Sequence, residues 1–111
     1  MFKPKNPRIT CADGFNMSVQ ASVSNYSTPR NDAGPYTEVE VGFPNKVEPL
    51  LIPFQDSPGY SAPINDVYGW VPIDIILDVI EAHGGLVTGK LPYNRNRRSL
   101  VLAAKVTRSA Q

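Results

Sequence analysis

The sequence has one cysteine, Cys11, and one histidine, His83, among 111 residues. A single thiol closes no disulfide within the chain. One thiol with one imidazole also cannot complete the usual nitrogen–sulfur shell of zinc, so neither a disulfide framework nor a metal site is expected. Long apolar runs are missing too. The longest, residues 71–80, is broken by Pro72, Asp74 and Asp78. It falls well short of the roughly 20 residues that cross a bilayer, so no membrane span is expected. The N-terminal stretch combines Lys3, Lys5 and Arg8 with Pro4 and Pro7, and no apolar segment follows, which is not the pattern of a secretory signal. Nor is there an excess of charge. Eleven Lys and Arg against 10 Asp and Glu leave +1, too little for a protein that coats duplex nucleic acid.

What the chain has in quantity is turn-formers. Eight glycines and 11 prolines predict short elements joined by many turns. An apolar content of 41% suffices for one core. Residues 1–111 are read as a single domain, with 1–7 and 107–111 as candidate flexible ends. Charge is segregated along it. Residues 1–30 carry +3; residues 31–83 hold nine acids against Lys46, for −8; residues 84–111 hold six cations and no acid, for +6. The near-neutral total conceals a dipolar chain. Such asymmetry is expected of a surface for a partner or a second copy of the chain, or of basic and acidic strands pairing inside one fold.

Arg8 to Cys11 reads as a first strand and Ala12-Asp13-Gly14 as a tight turn, since Asp-Gly tolerates positive φ. Phe15, Met17, Val19 and Ala21 then alternate with Asn16, Ser18, Gln20 and Ser22, a half-buried strand. Residues 23–35 form a polar loop. In 36–43, Thr37, Val39, Val41 and Phe43 face one way and Tyr36, Glu38 and Glu40 the other. Leu50, Leu51 and Ile52, between Pro49 and Pro53, read as a short strand, and residues 55–66 as a loop long enough to have a function. Residues 67–71 form another strand, whose Tyr68 and Trp70, two apart, share a face. Residues 72–83 are the helix. Pro72 suits its first position; Ile73, Ile76, Leu77, Val79 and Ile80 form a stripe opposite Asp74, Asp78 and Glu81; Gly84-Gly85 stops it. Residues 86–91 and 100–106 read as a closing strand pair. The expected fold is α+β, a mainly antiparallel sheet of five to seven short strands packed on one helix at about 72–83.

The loop from Lys90 to Arg98 concentrates the most chemistry. Lys90, Arg95, Arg97 and Arg98 supply cations, and the planar guanidinium binds phosphate or carboxylate at two points. Tyr93 suits stacking on a base or carrying an arginine on its face. No glycine-rich cradle accompanies them, and a solvated hairpin tip is the plain alternative. Tyr68 and Trp70 supply either an aromatic wall or packing for the helix. The Ser57–Asp66 loop, with Tyr60, is a clamp or a stiff connector. His83 is the only base for a catalytic pair with Cys11, yet its place beside two glycines at a helix end fits a capping residue. Glu38 and Glu40, roughly 7 Å apart on one strand face, are a carboxylate pair or the exposed side of an alternating strand. Taken together these residues declare no reaction, and the chain is read as a non-enzyme without cofactor or metal.

Several stretches carry a resemblance. They are residues 9–15 (Ile-Thr-Cys-Ala-Asp-Gly-Phe), 17–22 (Met-Ser-Val-Gln-Ala-Ser), 34–44 (Gly-Pro-Tyr-Thr-Glu-Val-Glu-Val-Gly-Phe-Pro), 67–72 (Val-Tyr-Gly-Trp-Val-Pro) and His83-Gly84-Gly85. Over about residues 9–85 the chain resembles a group of small accessory proteins of tailed bacteriophages. The resemblance brings no catalytic motif. It implies a phage setting and the host bacterial cytoplasm, where small accessory proteins often counter bacterial defence. The leading expectation is a homo-oligomer that sequesters a nucleotide immune signal without cleaving it. Lys90, Arg95, Arg97 and Arg98 would then bind phosphates, with Tyr93, Tyr68 or Trp70 on a base. The alternatives are a protein-binding inhibitor of a bacterial defence complex, as anti-CRISPR proteins are, using Glu38, Glu40, Asp74 and Asp78, and a host-takeover or virion accessory protein.

Overall fold

The computed structural model describes residues 4–96. Arg97, Arg98 and the strand expected at 100–106 lie outside them. Within them the fold is α+β: a five-stranded antiparallel sheet and one α-helix. The strands are β1 (Ile9–Cys11), β2 (Asn16–Gln20), β3 (Glu38–Gly42), β4 (Val67–Pro72) and β5 (Leu86–Thr88), and α1 spans Ile73–Ala82. The sheet order is β4-β3-β2-β1-β5. Among the described residues no helix is long and apolar enough to cross a membrane.

Period-two alternation does what it predicted in the middle of the strands. Met17 and Val19 of β2 and Val39 and Val41 of β3 are fully buried, while Ser18, Glu38 and Glu40 on the other face are not. The helix stripe is also as expected, with Ile73, Ile76, Leu77, Val79 and Ile80 buried against that sheet face together with Phe15, Leu51 and Tyr68. Apolar area removed from water on both sides of this interface is what holds the two layers together. Gly84, at φ +91, takes the left-handed conformation that ends the helix. Pro72 stands one place earlier than expected. It is the N-cap, with ψ 141, and also the last residue of β4, so strand and helix join without a loop.

Several stretches of the fold differ from the sequence reading. Residues 48–54 are a turn followed by a 3-10 turn at Ile52–Phe54, not a strand; Pro49 and Pro53 lack the N–H a ladder needs, and only Leu51 of the apolar trio is buried. Tyr36, expected to face outward, is buried, and its hydroxyl donates to the Asn31 carbonyl at 2.7 Å. Thr37 and Phe43, expected inside, are exposed, because β3 begins after Thr37 and ends before Phe43, and alternation binds only residues within the ladder. Lastly, β5 covers three residues rather than six, and its partner among the described residues is β1.

Candidate functional site

Three places gather chemistry. The first is a bridge centred on His83. The Asp13-Gly14 turn between β1 and β2 brings the Asp13 carboxylate to 2.6 Å from Nδ1 of His83, and the turn at 48–51 brings Glu48 to 2.6 Å from Nε2. Both partners are carboxylates that only accept, so the imidazole donates through both nitrogens and is an imidazolium. Burial would lower its pKa, but the hydrogen bonds and charges of Asp13 and Glu48 outweigh burial and raise it above the ordinary histidine value. Phe15 stacks on the ring at 4.2 Å between centroids. Glu48 is buried, and its second oxygen accepts from the Leu50 N–H at 2.9 Å. This ring has no free nitrogen to take a proton from a nucleophile. Cys11 is no nucleophile either. It is buried, and desolvation together with the Asp13 charge pushes its pKa up to about 11, so it is a thiol at neutral pH. The helix-end position had signalled a cap, and His83 is indeed the C-cap residue; its two carboxylate partners were not foreseen.

The second place is an open cleft of about 310 Å³ ahead of α1, lined by Tyr36, Thr37, Pro72, Ile73, Asp74 and Asn94–Asn96. Of the expected anion-binding residues that the structure describes, Arg95 alone lines it. Two asparagines shape the loop that carries Arg95: the Asn94 side chain donates to the Pro92 carbonyl and accepts from the Asn96 N–H, and the Asn96 amide donates to Asp74 at 2.7 Å. The loop is tied to the sheet where the Tyr36 N–H donates to the Tyr93 carbonyl at 2.8 Å. Tyr93 is exposed, and Lys90 lies back along the chain beside Pro7; neither lines the cleft. No side chain caps the N-terminus of α1, whose Ile73 N–H donates to Thr37. The positive end of the helix therefore meets the cleft, and so does the Asp74 carboxylate.

The third place corrects the expected aromatic wall. Tyr68 and Trp70 do not share a face. Pairing runs Val39↔Val71 and then Val41↔Tyr68, so β4 carries one residue more than β3 opposite Glu40. This bulge turns the strand over. Tyr68 is wholly buried, with its hydroxyl donating to the Pro63 carbonyl, and cannot stack on a ligand; Trp70 points out, 47% exposed, at φ +52. Its ring stacks on Tyr26 at 4.8 Å, and Arg30 sits over the Tyr26 ring at 5.5 Å. A Cβ at Gly69 would lie 3.3 Å from the Tyr26 side chain, so the glycine lets that ring lie close on the strand. Tyr26 and Arg30 belong to the polar loop and were missed, because nothing local marks a loop residue that reaches back over a sheet.

Glu38 and Glu40 share the outer face of β3 as expected, and both secure this loop. Thr28 Oγ1 donates to Glu38 at 2.7 Å, and the Tyr26 N–H donates to Glu40 at 2.8 Å. Asp74 and Asp78 are exposed on α1. The Ser57–Asp66 loop is pinned at its base by the Ser57 N–H donating to Asp66, leaving Tyr60 almost fully exposed. Among the described residues no group of His, Cys, Asp and Glu is arranged to hold a metal ion. The chain matches no family model, and comparison with curated proteins and with solved structures yields no match.

Proposed function

We propose that the protein acts by binding rather than by chemistry, as a phage counter-defence protein of the host bacterial cytoplasm that sequesters a nucleotide immune signal in the cleft ahead of α1. The observation that carries this reading is the cleft itself. About 310 Å³ is the low end of small-ligand sites. Arg95 supplies a fork for a phosphate and the uncapped helix start adds a favourable dipole. The Asp74 carboxylate in the same lining opposes a high charge density. A ligand with one phosphodiester charge per site, such as a cyclic nucleotide, suits the balance better than a polyphosphate. The phage setting rests on the resemblance stated above. The proposal includes a homo-oligomer, in which a neighbouring copy completes the open side of the cleft.

Calorimetry with a panel of cyclic dinucleotides, cyclic trinucleotides and cyclic ADP-ribose isomers tests it. Saturable heat is expected with at least one member, weakened roughly tenfold or more by Arg95→Glu, with the nucleotide recovered intact. Absence of heat across the panel, for folded protein, sinks the sequestration reading. Released product overturns the non-enzymatic part.

A further inference from the structure

Only two non-glycine residues among those described have positive φ, Phe43 and Trp70, and both are exposed aromatics. A bulky side chain rarely adopts this conformation, because its Cβ crowds the following carbonyl. At Trp70 the surroundings hold it there. The bulge fixes the backbone, and the Trp70 N–H donates to the Tyr26 carbonyl at 3.0 Å. Strain that places the one tryptophan of the chain outside, where burial would be its default, calls for a functional account.

The surroundings are acidic. Glu40 holds the Tyr26 N–H and the Asn25 amide, and Glu38 holds the Thr28 hydroxyl. These donors are neutral, so they leave both carboxylates with their charge. Among the described residues neither makes an ion pair. An indole face attracts cations more strongly than any other side-chain ring. The stack already carries one guanidinium, that of Arg30 over Tyr26. That guanidinium lies over the Tyr26 ring rather than over the indole of Trp70, which is about half exposed.

We propose that Trp70, backed by Tyr26 and flanked by Glu38 and Glu40, is a docking surface for an arginine side chain of a partner protein. The guanidinium lies on the indole and its N–H groups reach the carboxylates. Arginine and tryptophan are the residues that most often dominate protein interfaces, and each supplies what the other lacks here. None of Trp70, Tyr26, Glu38 and Glu40 lines the Arg95 cleft, but Thr37 and Pro72 of its lining adjoin them, so the two sites are told apart by testing Glu38→Gln/Glu40→Gln and Arg95→Glu against both ligands.

Trp70 is the only tryptophan, so its fluorescence reports on this surface alone. Full-length protein is titrated with a blocked tetra-arginine peptide, with tetra-glutamate and an oligothymidylate as comparisons. Saturable quenching by tetra-arginine, weakened by salt, is expected. Glu38→Gln/Glu40→Gln keeps the acceptors for the loop but removes the charge, and it weakens binding roughly tenfold. Trp70→Gly removes the fluorophore, so it is titrated with tetra-arginine by calorimetry; it loses the binding heat that the wild type gives, while melting stays cooperative because glycine suits this φ. Three results overturn the proposal: no saturable response to tetra-arginine, equal affinity in the double variant, or saturation with oligothymidylate alone, which would mark a base-stacking surface.

Discussion

At His83 the environment of one side chain fixes a pH dependence. An imidazolium whose pKa is raised on folding favours the folded state when protonated. Its contribution is complete below the ordinary value of 6.5 and is lost as pH rises through the higher folded value. Asp13 acts at the other end. Burial would raise its pKa, but the Phe15 N–H and His83 outweigh burial and lower it, so its contribution is lost toward acid. The thermal midpoint of the wild type is therefore expected to fall from mildly acid to alkaline pH. In His83→Gln that alkaline decline disappears. The variant also loses roughly 1.5–3 kcal/mol of stability at mildly acid pH, since Glu48 stays buried without its charged donor. Scanning calorimetry across pH checks both; an unchanged slope in the variant would show that the bridge does not carry the effect.

The elements place these residues, and their ends matter more than their middles. Gly84 closes α1 at φ +91, and a Cβ there would lie 2.9 Å from the Ala12 Cβ of the β1–β2 turn. That turn carries Asp13, so the end of the helix and one arm of the His83 bridge share a contact. Gly84→Ala is expected to cost roughly 1–3 kcal/mol, from left-handed strain plus crowding, and to move the urea midpoint accordingly. The variant is also expected to weaken the alkaline decline, because Ala12 must shift and take Asp13 with it. A midpoint equal to wild type would mean that the turn absorbs the methyl without strain. At β4 the bulge has the larger consequence. Without the extra residue, Trp70 would point into the core and Val71 out of it.

Over the whole molecule, charge segregation along the sequence predicts association. An acidic stretch of −8 beside a basic one of +6 allows copies to meet by complementary patches, which salt screens. Equilibrium sedimentation is expected to give a mass above that of one chain at low salt, falling toward it as salt rises. A mass of one chain at every salt concentration would remove the shared-site form of the sequestration proposal and leave a site within a single copy. Arg95 lines the cleft and Trp70 does not, so Arg95→Glu is expected to leave tetra-arginine binding intact.

What the sequence determined by itself was local. Alternation in residues 15–22 and 36–43 named the buried valines, the 73–80 stripe named the inner face of the helix, and Asp13-Gly14 and Gly84 named two chain reversals. These follow from periods of 2 and 3.6 residues and from the φ that glycine allows, all properties of neighbours in the chain. The sequence also marked the loop of Arg95, though not the helix start it faces. Only the tertiary structure decided which carboxylates meet His83, since they lie 70 and 35 residues away from it. It also decided that Tyr68 goes in and Trp70 out. Pairing with β3 forces one unmatched residue into β4, and the face each side chain takes depends on that register.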